Sequence, residues 1–214
     1  SCFLDKGYEI GSVGTVMPDL EVKIGENNEI LLRGKTITTG YYKKPEATAA
    51  AIDKDGWFHT GDAGYLKGNH LYLTERIKDL FKTSNGKYIS PQALETKLSI
   101  DRYIDQIAVI ADQRKFVSAL IVPVYGLVKN YAKEKGLEYK DMADLLQHPK
   151  VQALFRARID TLQQQFAHYE QVKRFTLLSE PFSMERGELT NTLKLKRSVV
   201  AKNYKELIDK MYEE

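Results

Sequence analysis

Cysteine is almost absent from this chain of 214 residues: Cys2 stands alone, so no internal disulfide can form. That excludes the disulfide-stapled secreted class and suits a reducing cytoplasm. No apolar run approaches the roughly 18 residues of a membrane span, and no signal-peptide pattern opens the chain. A charge excess of one sign is also lacking. The 32 basic and 29 acidic residues leave a net charge of +3, too small to point to nucleic acid by charge alone. The four histidines, His59, His70, His148 and His168, are scattered without metal-ligand spacing. No Ser-His-Asp set, internal repeat or low-complexity tract is recognisable. There is no initiator methionine, and Ser1-Cys2-Phe3 begins abruptly, so a piece of a longer protein is expected. What is present is globular in texture, 43% hydrophobic and 29% charged, which argues against disorder. The length permits one or two domains.

Residues 1–75 read as β-rich. Val13, Val16, Leu20, Val22 and Ile24 lie among Gly11, Gly14, Pro18 and Gly25, and residues 29–34 form a short apolar strand with a glycine stop. Short strands between turn residues predict a small sheet or barrel. Pro45 opens a short alanine-rich helix over 46–52. Residues 63–66 and 70–73 flank the polar Lys67-Gly68-Asn69 turn as a hairpin. After Arg76 the texture changes. Ser90 as cap and Pro91 at the first helical position predict a helix to about Ser99. Residues 106–111 and 116–123 read as buried strands that turn at Asp112-Gln113-Arg114, and 172–178 as a third strand. Residues 125–135, 140–147 and 149–169 read as helices. A single terminal helix is expected over 196–212, with Val199, Val200, Tyr204, Leu207, Ile208 and Met211 on one stripe. Helices beside a few strands make an α+β class, with the boundary placed at Lys78.

Three motifs follow one another in fixed order. They are Trp57-Phe58-His59-Thr60-Gly61-Asp62, Glu75-Arg76-Ile77-Lys78-Asp79, and the run from Leu189 through Thr190-Asn191-Thr192-Leu193-Lys194-Leu195-Lys196 to Arg197. Each has a plain reading: a turn aspartate, a solvated charge cluster, and surface residues at a helix start. Together, at these separations, they resemble the C-terminal third of the adenylate-forming acyl-CoA synthetases, with the long-chain fatty acid CoA ligases as the nearest likeness. The likeness covers nearly the whole chain. The family's phosphate loop and its aromatic-Gly-x-Thr-Glu adenine motif are not in it, and the second is expected just upstream of Ser1.

The resemblance implies a fold and a set of roles. Residues 1–77 would be the end of the large adenylation domain, its β-barrel-like subdomain. Residues 78–214 would be a small mobile α+β C-terminal domain, with a helical insert near 125–170. Asp62 would hold the adenylate ribose, since a carboxylate accepts strong charge-assisted bonds from hydroxyls. Arg76 would contact ribose and phosphate, where a planar cation suits oxygen acceptors. Glu75 departs from the Gly or Asp usual before this arginine. Lys78 would be the hinge, a position that must change its backbone dihedrals. Gly86, in Ser84-Asn85-Gly86-Lys87, would line the channel for the pantetheine arm of CoA. Lys194 would be the catalytic lysine of adenylation, offsetting charge while a carboxylate attacks the α-phosphate. Lys196 and Arg197 compete with it for that alignment, and the motif's usual proline is Asn191 here. Gly34, Thr39-Gly40-Tyr41-Tyr42 and Pro45 also match, in structural roles.

The implied reaction joins fatty acid and ATP to acyl-adenylate and pyrophosphate, after which CoA displaces AMP. Mg²⁺ is implied for the triphosphate with ligands upstream, and none of the site residues is a metal ligand. The expected partners are these small molecules and not nucleic acid. The expected location is cytoplasmic, with peripheral membrane contact left open, and this stretch alone is expected to be inactive. Two other classes remain: an adenylating enzyme that loads a carrier protein, and a non-catalytic nucleotide-binding module.

Overall fold

A computed structural model describes residues 9–213; Cys2 lies outside the described residues. The chain divides between Leu80 and Phe81 into two compact units.

The first unit is an antiparallel sheet of five strands: β1 (Gly14–Thr15), β2 (Leu20–Ile24), β3 (Glu29–Gly34), β4 (Phe58–Lys67) and β5 (His70–Arg76). Their order is β1-β5-β4-β3-β2, so β1 and β2 are edges and the described strands form an open sheet, not a closed barrel. Helix α1 (Pro45–Ala51) joins β3 to β4 and begins at its proline, as the sequence predicts. The hairpin of β4 and β5 is longer than the one expected. Both arms run on through the motif residues, until Asp62 faces Arg76 across the ladder. The register shifts between Ala63 and Gly64, a bulge that re-aims the residues on its far side. The buried apolar side chains here are few, chiefly Ile30, Leu31 and Ala63.

The second unit carries the larger core. It opens with the short hairpin of β6 (Phe81–Lys82) and β7 (Tyr88–Ile89), then α2 (Pro91–Leu98), whose Ser90 cap accepts a bond from the Ala93 amide at 3.3 Å. Strands β8 (Ile104–Ile110) and β9 (Val117–Pro123) pair antiparallel. Strand β10 (Val172–Leu177) lies parallel to β9 on its other side. A parallel neighbour requires a crossover, and the helical insert supplies it: α3 (Tyr125–Glu134), α4 (Met142–Gln147) and α5 (Pro149–Leu162). The chain ends in α6 (Arg197–Asn203) and α7 (Lys205–Tyr212).

Strand β9 is buried at every position, because helices cover both faces of this sheet. The period of two divides its side chains. Val117, Ala119 and Ile121 join one core with Leu94, Leu98, Phe155 and Ile159. Leu120 and Val122 join another with Val200, Ile208 and Met211.

Two helices differ from the sequence reading. Helix α5 stops at Leu162 rather than running to 169. Gln163 turns inward there, its Oε1 accepting from the Val172 amide at 2.8 Å, and stitches the helix end to β10. The terminal helix is two helices, broken at Tyr204. The Tyr204 ring stands edge-on to Phe182, with centroids 5.7 Å apart, while Asn203 reaches the buried Glu188.

Candidate functional site

In the first unit, four hydrogen bonds brace the backbone that carries Asp62. The Thr60 hydroxyl donates to the Ile30 carbonyl at 2.7 Å and accepts from the Asp62 amide at 3.1 Å. Glu29 accepts from the Gly61 amide at 3.0 Å through one oxygen and meets His59 Nδ1 at 2.9 Å through the other. Gly61 itself has φ +71°, a left-handed conformation that favours glycine, with open space where a side chain would stand. These bonds fix the backbone and leave the half-exposed Asp62 side chain to face Arg76, whose Nε lies 3.4 Å from Asp62 Oδ1. The arginine side chain is 63% exposed and the aspartate side chain 36% exposed, so the guanidinium can donate to further oxygen atoms and the carboxylate can accept from further hydroxyls. A carboxylate beside a planar cation suits a ligand that presents vicinal hydroxyls and a phosphate. Glu75, where the family differs, is buried. Lys78 is exposed in the 3₁₀ turn Ile77–Asp79 that ends this unit.

In the second unit, Gly86 sits at the tip of the β6–β7 hairpin. Its amide donates to the Thr83 carbonyl at 2.9 Å, and the Thr83 hydroxyl accepts from the Lys87 amide at 3.1 Å. Its φ is +76° and nothing lies within 4 Å of where a Cβ would be. Turn geometry therefore favours glycine here, and the surrounding space would admit bulk.

Lys194 is exposed on the arm of a second small hairpin, just before α6. Its amide donates to the Thr190 hydroxyl at 3.0 Å, and its carbonyl accepts from the Thr190 amide at 2.8 Å. Around it, exposure alternates. Leu195 is partly buried against the second core, and Arg197 is tied to Glu95 by bonds of 2.5 and 2.7 Å, whereas Lys194 and Lys196 face solvent. Arg197 is thus committed to a structural pair, which leaves the two lysines as rivals. No hydrogen bond or ion pair among the described residues joins Gly86 to Lys194. Among the described residues, no three His, Cys, Asp or Glu side chains gather to hold a metal.

Sequence reading did not find the bracing residues. His59 and Thr60 stood inside a quoted motif, which was a signal. Glu29 carried none, because its partners are set by strand register.

Residues 78–214 match the family of AMP-binding enzyme C-terminal domains, and the chain belongs to this family. Its relatives are acyl-CoA ligases. It is 34% identical over 232 residues to long chain acyl-CoA synthetase 6, a peroxisomal protein of Arabidopsis thaliana, covering 99% of this chain and 33% of the relative. It is 32% identical over 209 residues to a long-chain-fatty-acid–CoA ligase of Mycobacterium tuberculosis, covering 95% of this chain and 34% of the relative. The chain therefore spans about a third of the length of these relatives. Among solved structures it resembles the didomain of a carboxylic acid reductase from Segniliparus rugosus in complex with AMP. That match has a TM-score of 0.63 and 26% identity, over 86% of this chain and 24% of the other. No described helix is long and apolar enough to cross a membrane.

Proposed function

We propose that this chain is the C-terminal part of a long-chain fatty acid–CoA ligase that makes acyl-adenylate from fatty acid and ATP and then passes the acyl group to CoA. The observation that carries the proposal is the Asp62–Arg76 pair, braced from behind and open to solvent in front, in a chain whose relatives are such ligases. On this reading residues 1–77 close the adenylation domain and 78–214 form the mobile small domain, with Lys78 as hinge. Asp62 takes the ribose hydroxyls, and Arg76 takes ribose and phosphate oxygens. Lys194 offsets the charge that builds on the α-phosphate as the fatty carboxylate attacks. Gly86 lines the path of the pantetheine thiol. Mg²⁺ accompanies the triphosphate on ligands outside this chain. The cytoplasm is the proposed location.

The test is a pair of assays on the full-length protein that contains this chain: fatty-acid-dependent ATP–pyrophosphate exchange, and thioester formation with free CoA. Both should proceed with long-chain acids. Absence of exchange with any carboxylic acid would remove the adenylation reading. A second reading, an acceptor thiol on a carrier protein, is favoured by the likeness to the carboxylic acid reductase didomain. Exchange without thioester formation from free CoA would select it.

A further inference from the structure

One carboxylate in the second unit is fully buried. Glu188 is 0% exposed, yet it belongs to no part of the site described above. Its Oε2 accepts from the Ser183 amide at 3.0 Å, and Arg186 Nε reaches both carboxylate oxygens at 3.1 Å. Its Oε1 also accepts from Asn203 Nδ2 of α6 at 3.2 Å. Burial raises the pKa of this group, but Arg186, the Ser183 amide and Asn203 outweigh it and hold the group below the ordinary glutamate range. It is a buried anion with all its partners supplied. Removing one side of such a cluster leaves uncompensated groups in a dry place.

The backbone of Glu188 is the base of the Lys194 hairpin. Its carbonyl accepts from the Lys196 amide at 2.8 Å. One step outward, Leu189 bridges Leu195. One step further, Thr190 holds both the amide and the carbonyl of Lys194 at 3.0 and 2.8 Å. The tip is closed by the Leu193 amide donating to the Thr190 carbonyl at 2.9 Å. Leu193 has φ +59°, a left-handed conformation usually left to glycine or asparagine, and its side chain is 68% exposed. No burial of that side chain compensates for the strained turn. Such a conformation persists only where the surroundings over-determine it. The rungs below supply that constraint, and Glu188 anchors the lowest of them.

We infer that Glu188 and Thr190 are positioning residues for Lys194: the buried carboxylate fixes the base of the hairpin and the hydroxyl fixes the lysine's own amide. This rests on the proposed role of Lys194. Neither residue touches substrate; each acts through the lysine. Glutamine at 188 keeps the shape but turns an NH₂ toward Arg186 or the Ser183 amide, donor against donor. Valine at 190 keeps the shape and loses the acceptor.

Two measurements test it. In the 214-residue chain, Glu188→Gln and Thr190→Val should lower amide-exchange protection at Lys194 and Lys196 by about tenfold or more, while amides of β9 keep theirs. Thr190→Ser should restore the wild-type pattern. In the full-length protein both variants should slow adenylation by about ten- to a hundredfold in kcat, the scale of a small misplacement, with KM for ATP little changed. Thioester formation from supplied acyl-adenylate should continue. In a Lys194→Ala background neither substitution should cost more. If Lys194→Ala leaves adenylation intact, the reading of the lysine fails. If Lys194→Ala slows it but the two variants do not, or their costs add to that of Lys194→Ala, the positioning inference fails. Unchanged protection at Lys194 in both variants would overturn it as well. Thr190 lies near the surface, so its arm stands even if Glu188→Gln does not fold.

Discussion

Asp62 and Arg76 face each other as a cross-strand pair of β4 and β5, with Asp62 Oδ1 3.4 Å from Arg76 Nε. Strand pairing brings together residues that are separate motifs in the sequence, one on each arm of a hairpin. The pair is loose and solvated, so it contributes little to stability. On the proposed reading, the half-exposed carboxylate and exposed guanidinium held side by side receive hydroxyls and phosphate.

The first prediction concerns that pair. In the full-length protein, Asp62→Ala and Arg76→Ala should each raise KM for ATP by roughly ten- to a hundredfold, the worth of a lost hydrogen bond to a charged group. The double variant should cost less than the sum, because the residues are neighbours that share a ligand. Melting temperatures should stay near wild type. Steady-state kinetics with ATP as the varied substrate checks this, and an unchanged KM in both variants would remove the nucleotide role.

The second concerns Asn191, where the family's motif carries proline. The Leu193 amide donates to the Thr190 carbonyl, which makes Asn191 the second residue of a turn, a position that proline favours. Asn191→Pro should stabilise the chain by about 0.4–1 kcal/mol by restricting the unfolded state. Thermal or urea unfolding checks it. A loss of stability would mean that this backbone position does not accept the proline angle.

The third follows from Glu188. Burial acts to raise its pKa, but the Arg186, Ser183 and Asn203 bonds bring it below the ordinary range. The unfolded chain then takes up this proton at a higher pH than the folded chain does. The stabilisation is complete above the unfolded value of about 4.3 and is lost as pH falls through the lower, folded value. The wild-type protein should melt above Glu188→Gln at neutral pH, and the two curves should converge as pH drops below about 4. Calorimetry across that range checks the sign. A gap that widens in acid would contradict it.

Much of this was legible in the sequence, and the reasons differ by region. Strand β9 is an almost unbroken apolar run and β8 ends in one, Ile107 to Ile110, so composition alone announces them. The Ser90-Pro91 start of α2 is local chemistry and is read locally. The end of α5 was not legible, because an inward glutamine whose partner lies across a loop ends it, while the residue types continue to suit a helix. The break at Tyr204 has the same character: the apolar stripe runs through it, and only the packing on Phe182 shows the cause. Asp62 and Lys194 stand out in the sequence because they sit in motifs, and their roles are proposals. Glu29 does not, since it supports its motif from a distance that only the folded chain defines.

The fourth prediction is that the 214-residue chain makes no acyl-CoA by itself. It spans about a third of its relatives, so the positioning of both fatty acid and triphosphate is proposed to come from elsewhere. Weak nucleotide binding through Asp62 and Arg76 should survive. Purified chain incubated with ATP, Mg²⁺, palmitate and CoA should yield no thioester above background. Turnover under those conditions would show that the chain carries a complete site.

The fifth separates Lys194 from Gly86 in the full-length protein. Lys194→Ala removes a charge proposed to act only while the α-phosphate is attacked. It should slow adenylation by roughly a hundred- to a thousandfold, the cost of losing one transition-state stabiliser, and spare thioester formation from supplied acyl-adenylate. Lys196→Ala is the control for register, since both lysines face solvent on the same arm. Gly86 needs two substitutions. Its φ of +76° strains any other residue, while the space beside it is open within this unit. Asparagine tolerates that conformation and adds little bulk, so Gly86→Asn should cost little in either step. Gly86→Trp adds bulk and should block the thiol path, leaving pyrophosphate exchange in place. The two steps respond to different residues because, on the proposed reading, the small domain turns about Lys78 between them. If Lys194→Ala slows both steps equally, or Lys196→Ala is the variant that stops adenylation, the assignment of the lysine is wrong. If Gly86→Asn and Gly86→Trp are equally impaired, Gly86 is required for its turn and not for a channel.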